Sequence, residues 1–254
     1  MNVEISDLTR RFGRTQAVGR GEPAGRGRGV RAARPERGGK MTLLRMMAAV
    51  IAPSSGGLRL LGRDPGSYGP RREIRRRIAD LPQNLGYYPG FTVTEFVEYF
   101  ALLKDLPSRQ VPRAVAAAVE QVGLGGEARA RLRTLSGGML RRAGIAQAIV
   151  NQPELLLLDE PTAGLDPEQQ VAFRALLPGR DQWSTVIVST HLVEDVGAAC
   201  GEVALVDAGK VVFRGTPGEL TAPDQGSGAA GDAPLERGYS GVLAAARSAA
   251  AVRS

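Results

Sequence analysis

The run Glu154-Leu155-Leu156-Leu157-Leu158-Asp159-Glu160-Pro161-Thr162 constrains the fold of this chain more than any other stretch. Four consecutive leucines leave no polar face, so a strand here is buried on both sides, as in a parallel sheet covered by helices. Two carboxylates follow at once. They therefore sit at the carboxyl end of a central strand, the edge at which open α/β sheets bind ligands. One acid there can hold a divalent cation, directly or through water, and its neighbour can polarise a water molecule. A core strand ending in a charged turn would look the same in isolation, so the rest of the chain must decide.

A chain of 254 residues fits one large domain, or a domain with a subdomain. At 43% apolar residues it can build a sizeable core. No apolar run approaches the ~18 residues of a membrane span, and Leu43–Ala52 is interrupted by Arg45. Met1–Arg11 is mixed polar and lacks the apolar segment of a signal peptide. The single cysteine, Cys200, rules out an internal disulfide. Cys200 and Trp183 read as packing residues. These traits predict a cytosolic protein that needs a partner for any membrane role. The net charge of +7 invites a nucleic-acid reading, but residues 10–37 hold nine arginines and two glutamates, which is the whole excess. Elsewhere acids and bases balance, so the basicity is one local anomaly and no nucleic-acid partner is expected.

Along the chain, Val3-Glu4-Ile5 suggests a first strand and Arg11–Arg14 a turn. Residues 19–37 contain no Leu, Ile, Phe or Met. Apolar residues from Leu43 to Ile51 are spaced for a helix, broken by Pro53–Gly57. Thr92 and Glu95 form a capping box before a helix of about ten residues. A second helix is expected over Pro112–Gln121, and a third from its cap at Ser136 through Val150. These helices suggest a helical subdomain at about 84–152. Thr185–Ser189 reads as another strand, and Val203–Val206 with Val211–Phe213 as a hairpin. From Thr221 the composition predicts a linker with one weak helix.

Five features follow in a fixed order: Gly39-Lys40-x-Thr42 before a helix; Gln83; Leu135-Ser136-Gly137-Gly138-Met139 opening a helix; Asp159-Glu160 ending the apolar strand; and His191 after a strand. This order resembles the ATP-binding subunits of ABC transporters, over roughly residues 1–220. Ser136 with the Gly137 and Gly138 amides forms a helix N-terminus suited to an anion, and the resemblance implies that this site reaches ATP on an opposite subunit. It likewise implies that Gly39, Lys40 and Thr42 hold phosphates and that Asp159, with Gln83, holds Mg2+. Glu160 would polarise the attacking water and His191 would contact the γ-phosphate. Asp166 would couple the two sites of a dimer, and Phe12 would stack on adenine.

The chain departs from this pattern at the phosphate loop, G-x-x-x-x-G-K-[ST] after a buried strand. The first glycine position is Arg34, another usual glycine is Arg37, and the Mg2+-ligating hydroxyl position is Met41. Arginine is strained where the loop needs φ > 0, and a thioether suits a hard cation poorly. The expected strand, Val30-Arg31-Ala32-Ala33-Arg34, would place unpaired charge in a central position. The genetic code offers a reason. Gly29–Arg37 can be written in codons that, read one base later, give Val-Phe-Gly-Leu-Leu-Gly-Pro-Asn-Gly, an apolar strand and the start of a phosphate loop. Residues at about 19–37 therefore read as out of frame, with compensating shifts near both ends. A genuine Arg-Gly tract, of which Gly25-Arg26-Gly27-Arg28-Gly29 is typical of RNA-binding disordered segments, is the competing explanation.

The resemblance implies an α/β P-loop NTPase core with mixed β-sheet, an antiparallel β portion and an inserted helical subdomain at residues 1–220, then a tail at 221–254. The implied function is the ATP-binding, ATP-hydrolysing subunit of an ABC transporter, an exporter by the look of Gly90–Leu106. ATP and Mg2+ are the implied ligands. The partners are transmembrane permease subunits and a second ATP-binding subunit, with the chain held on the inner face of the cell membrane. The alternatives are a catalytically inactive, pseudogene-like domain and a soluble ABC ATPase not engaged in transport.

Overall fold

A computed structural model of the chain describes residues 2–12, 15–18, 29–34, 40–163, 165–176, 185–189, 201–207, 210–221 and 234–251. The strands are β1 (Val3–Phe12), β2 (Thr15–Val18), β3 (Gly29–Arg34), β4 (Ser55–Leu60), β5 (Ile78–Leu81), β6 (Leu155–Asp159), β7 (Thr185–Ser189), β8 (Glu202–Asp207) and β9 (Lys210–Gly215). The helices are α1 (Lys40–Met47), α2 (Tyr68–Arg77), α3 (Val93–Leu103), α4 (Val111–Gln121), α5 (Gly137–Ile149), α6 (Pro167–Leu176), α7 (Pro217–Thr221) and α8 (Pro234–Ala251).

Six strands form one sheet in the order β5-β6-β7-β3-β8-β9. Its pairs are parallel from β5 to β8, and β9 returns antiparallel beside β8. A second, antiparallel sheet has the order β2-β1-β4. All five residues of β6 are buried, as the leucine run predicts. Their alternation sorts them to two cores. Leu155 and Leu157 join Met46, Met47, Leu60 and Ile74 on one side, whereas Leu156 and Leu158 join Val97, Ala146 and Ile149 on the other. Each fully buried leucine contributes about 1.5–3 kcal/mol, so this strand anchors the sheet.

Helices α3, α4 and α5 close over the second core. Thr92 caps α3 with the expected box: its amide donates to Glu95 Oε2 at 2.7 Å and its Oγ accepts from the Glu95 amide at 3.2 Å. Helix α5 is buried from Ala143 to Ile149 on every side, which explains its lack of an amphipathic stripe. Several boundaries differ from the sequence reading. Strand β1 continues through Arg11 and Phe12 and returns as β2 across a register shift at Arg10/Arg11. Helix α1 stops at Met47, and Ser55–Gly57 begins β4. The tail carries the 18-residue helix α8, whose Tyr239 and Leu243 pack with Val203, Leu205 and Leu220. Gly238 lies against the Leu220 carbonyl so closely that no side chain fits there.

The arginine-rich α2 uses its charges internally. Arg71 donates to the Pro65 and Gly66 carbonyls, and Arg75 donates twice to Ala49 O. Arg72 and Arg76 meet Asp105, and Arg77 grips Glu154 through two bonds of 2.5 and 2.7 Å. Lys104, at the end of α3, donates to Arg75 O and Ile78 O, and burial pulls its pKa down. Hydrogen bonding from Arg77 holds the Glu154 carboxyl below its usual value. A depressed carboxylate pKa stabilises the fold above the unfolded value of about 4.3, and that contribution is lost as pH falls through the folded value. Both side chains are about two-fifths exposed, so screening keeps the effect small. Urea midpoints measured from about pH 5 to pH 3 should fall less steeply for Glu154→Gln than for wild type. Equal slopes would remove this pair from the acid response.

Candidate functional site

The carboxyl ends of the parallel strands carry the chemistry. Asp159, the last residue of β6, and Glu160 beyond it are 9% and 6% exposed. Glu160 takes φ +46°, a left-handed conformation that an L residue holds only when its surroundings fix it. Its amide donates to Ser189 O at 2.7 Å, which ties the turn to the end of β7. Ser189 pairs in register with Asp159 on one side and Ala33 on the other. The carboxyl end of β3 therefore lies on the same sheet edge as the acids, with β7 between them. Positions 31 and 34, both arginine, fall in this interior strand between β7 and β8.

A cavity of about 240 Å³ opens at that edge, lined by Met41, Arg45, Gln83, Asn84 and Asp159. Gln83 and Asp159 thus line one cavity. Their amide and carboxylate oxygens suit a hard cation, while the exposed Met41 offers only a thioether on the same wall. The acid side of this cavity suits a hard divalent cation, whereas Met41 puts no oxygen donor on the helix side. Thr42, next in α1, is half-buried, and Lys40 is the first residue of that helix.

A separate cavity of about 320 Å³ is lined by Ser136, Gly138, Met139, Arg142, Asp166 and Gln169. Ser136 caps α5, its Oγ accepting from the Met139 amide at 3.3 Å. A Cβ on Gly138 would meet the Gln169 side chain at 2.6 Å, whereas one on Gly137 would meet nothing within 4 Å among the described residues. Asp166 caps α6 by accepting from the Gln169 amide at 2.8 Å. The predicted residues thus divide into two groups on one chain. Phe12 stands apart from both cavities, 49% exposed at the end of β1, with the Arg10 guanidinium 4.7 Å from its ring centre. Gly39 and His191 lie outside the described residues, as do Trp183 and Cys200.

The spacing of motifs did not point to Arg141. This arginine is 8% exposed in the second turn of α5. Its Nε donates to Pro161 O at 2.9 Å. One terminal nitrogen donates to Pro82 O at 2.8 Å and Gln83 O at 3.1 Å. The other donates to Asp159 O at 3.0 Å and Glu160 O at 2.9 Å. Five N–H groups thus meet five carbonyls. Burial lowers its pKa, partly offset by the Asp159 and Glu160 charges, and a guanidinium stays protonated throughout. An arginine pair in a helix of mostly small and apolar residues was the available signal.

Comparison with known proteins agrees with this geometry. The family model described as ABC transporter matches residues 38–163. A Nod factor export ATP-binding protein I from Cupriavidus metallidurans is 35% identical over 187 residues, covering 73% of this chain and 61% of that protein. Its namesake from Ralstonia nicotianae is 31% identical over 226 residues, covering 88% and 70%. The chain spans between 54% and 70% of the length of these and similar curated relatives. Among solved structures, cbiO1 from Clostridium perfringens, described as part of the ABC transporter complex cbiONQ, superposes with a TM-score of 0.77 at 26% identity, covering 88% of this chain and 91% of that one. On these matches in sequence and fold, this chain belongs to the ATP-binding proteins of the ABC transporter family.

Proposed function

We propose that the chain binds ATP and Mg2+ and hydrolyses ATP as the subunit that powers an ABC transporter, and that this transporter exports its substrate. The observation that carries the reading is the division of the site. Buried Asp159 shares a cavity with the first turn of α1 and Gln83, while Ser136, Gly138 and Asp166 line another. One copy therefore offers two half-sites, which two copies arranged head to tail would complete. The open space beside Gly137 suits close approach by a phosphate of the opposite copy. Relatives named for Nod factor export support the direction of transport.

Mg2+-ATP, when bound, supplies the electrophilic γ-phosphorus and a cation that offsets phosphate charge. Positioning and charge stabilisation by the chain carry the rest. Asp159 and Gln83 hold the cation side. Glu160, fixed by its amide and carbonyl bonds, polarises the attacking water in a buried setting. Gly39, Lys40 and Thr42 hold phosphates, His191 contacts the γ-phosphate, and Phe12 stacks on adenine. Ser136, Gly137 and Gly138 close the opposite copy's site, and Asp166 links the two. Residues 1–220 form the ATP-binding domain, with the helical subdomain at about 84–152, and residues 221–254 are appended to it. The partner permease would dock beside Gln83, where Tyr87, Tyr88 and Tyr99 remain exposed and Tyr88 packs on Phe91 with centroids 5.1 Å apart. That contact would hold the chain on the inner face of the membrane.

Met41 on the cavity wall favours a second reading, a degenerate subunit whose phosphate loop no longer works. Purified full-length chain assayed for Mg2+-dependent ATP hydrolysis separates the two. Turnover sinks the degenerate reading, and absence of both binding and turnover sinks the active one for the literal sequence. Sequencing the coding DNA across codons 15–45 then decides between a true lesion and a shifted frame.

A further inference from the structure

We infer that Arg141 is a positioning residue that couples the loop carrying Gln83 to the turn carrying Glu160. The roles assigned to Gln83 and Glu160 rest on the functional reading above; the mechanical link rests on the hydrogen bonds alone. One buried guanidinium bonds two carbonyls of the Gln83 loop and three of the Asp159–Pro161 turn. A guanidinium is rigid and planar, so its five bonds have fixed mutual directions. A shift of Pro82 or Gln83 must then break bonds to a charged donor or carry residues 159–161 with it. The turn is poised to respond. Glu160 sits at φ +46°, held by its amide bond to Ser189 O and its carbonyl bond from Arg141. Arg141 also rides on α5, five residues beyond the cap Ser136, so the same side chain ties both cavities to one helix. A lysine would keep the charge, but its single nitrogen cannot span both sets of carbonyls.

Hydrogen exchange of the full-length chain tests the link without nucleotide. The Glu160 and Ala163 amides, bonded to Ser189 O and Glu160 O, report on the turn. Pro82→Gly loosens the loop backbone while leaving the residue-82 carbonyl available to Arg141. In the wild-type background it should raise exchange at both amides about ten-fold, and in the Arg141→Lys background by less than about two-fold relative to Arg141→Lys alone. The Leu157 amide, in the buried strand, should not respond in either. An equal rise in both backgrounds overturns the proposal, because loop and turn would then communicate through other contacts. If Arg141→Lys does not fold, Arg141→Gln takes its place. If neither folds, absence of a response to Pro82→Gly in the wild-type background overturns the proposal, and a response at Glu160 and Ala163 but not at Leu157 supports it. Added Mg2+-ATP that leaves the exchange of wild type unchanged would count against the functional reading and leave the link standing.

Discussion

Rewriting residues 29–37 as Val-Phe-Gly-Leu-Leu-Gly-Pro-Asn-Gly, together with Met41→Thr, is expected to raise the affinity for Mg2+-ATP by about 10²–10⁴-fold. The gain comes from bonds to phosphate that the literal loop cannot make. A phosphate loop donates backbone N–H groups to phosphate, each hydrogen bond to a charged group contributing about 1.5–3 kcal/mol. Two such bonds amount to about 3–6 kcal/mol, and every 1.4 kcal/mol is ten-fold in affinity. Arg34 and Arg37 stand where glycine would let the backbone wrap the phosphates, and Met41 stands where a hydroxyl would meet the cation. The rewriting also removes two arginine positions from an interior strand, so the melting temperature should rise as well. Titration of both chains with a fluorescent ATP analogue in Mg2+ gives the comparison. Equal dissociation constants would refute the shifted-frame explanation and its account of the nucleotide site together.

In that rewritten chain, Glu160→Gln is expected to lower ATP turnover by about 10²–10⁴-fold, the usual contribution of a positioned base. Glutamine keeps the shape and leaves the backbone bonds of residue 160 available, so the turn at φ +46° should survive. What changes is the loss of a carboxylate able to polarise water. Binding should be retained, and two copies should stay associated with trapped ATP. Steady-state hydrolysis and size-exclusion chromatography with Mg2+-ATP would read the two effects. Undiminished turnover would remove Glu160 from the chemistry.

The legible parts of the fold are those in which a short run of residues has one physical solution. Four leucines admit only a strand buried on both faces, and Thr92 with Glu95 admits only a helix start. Ser136 before two glycines is similarly explicit. Helix α2 escaped because it buries one residue, Ile74, so its sequence shows no apolar stripe. Strand β5 escaped because it is four residues long and carries Asp80 in its middle. Arg141 escaped because its partners are all main-chain carbonyls, from two segments distant in sequence. No residue type advertises a carbonyl, so a side chain that organises backbone leaves no pattern of complementary charges. The tail helix α8 reads only as a weak helix in the sequence because Gly238 and Gly241 offset its alanines, and packing against β8 and α7 adds what propensity leaves short.

Strand β6 divides the molecule into two compartments that share a wall one residue thick. Its odd-numbered leucines belong to the core that seats α1, and its even-numbered leucines to the core that seats α5. Substitutions along β6 should therefore sort by parity. Volume changes at 155 and 157 should be compensated by changes at Met46 or Ile74, and those at 156 and 158 by changes at Ala146 or Ile149. The α1 side and the α5 side of the molecule can then drift independently in sequence while remaining bolted to the same strand.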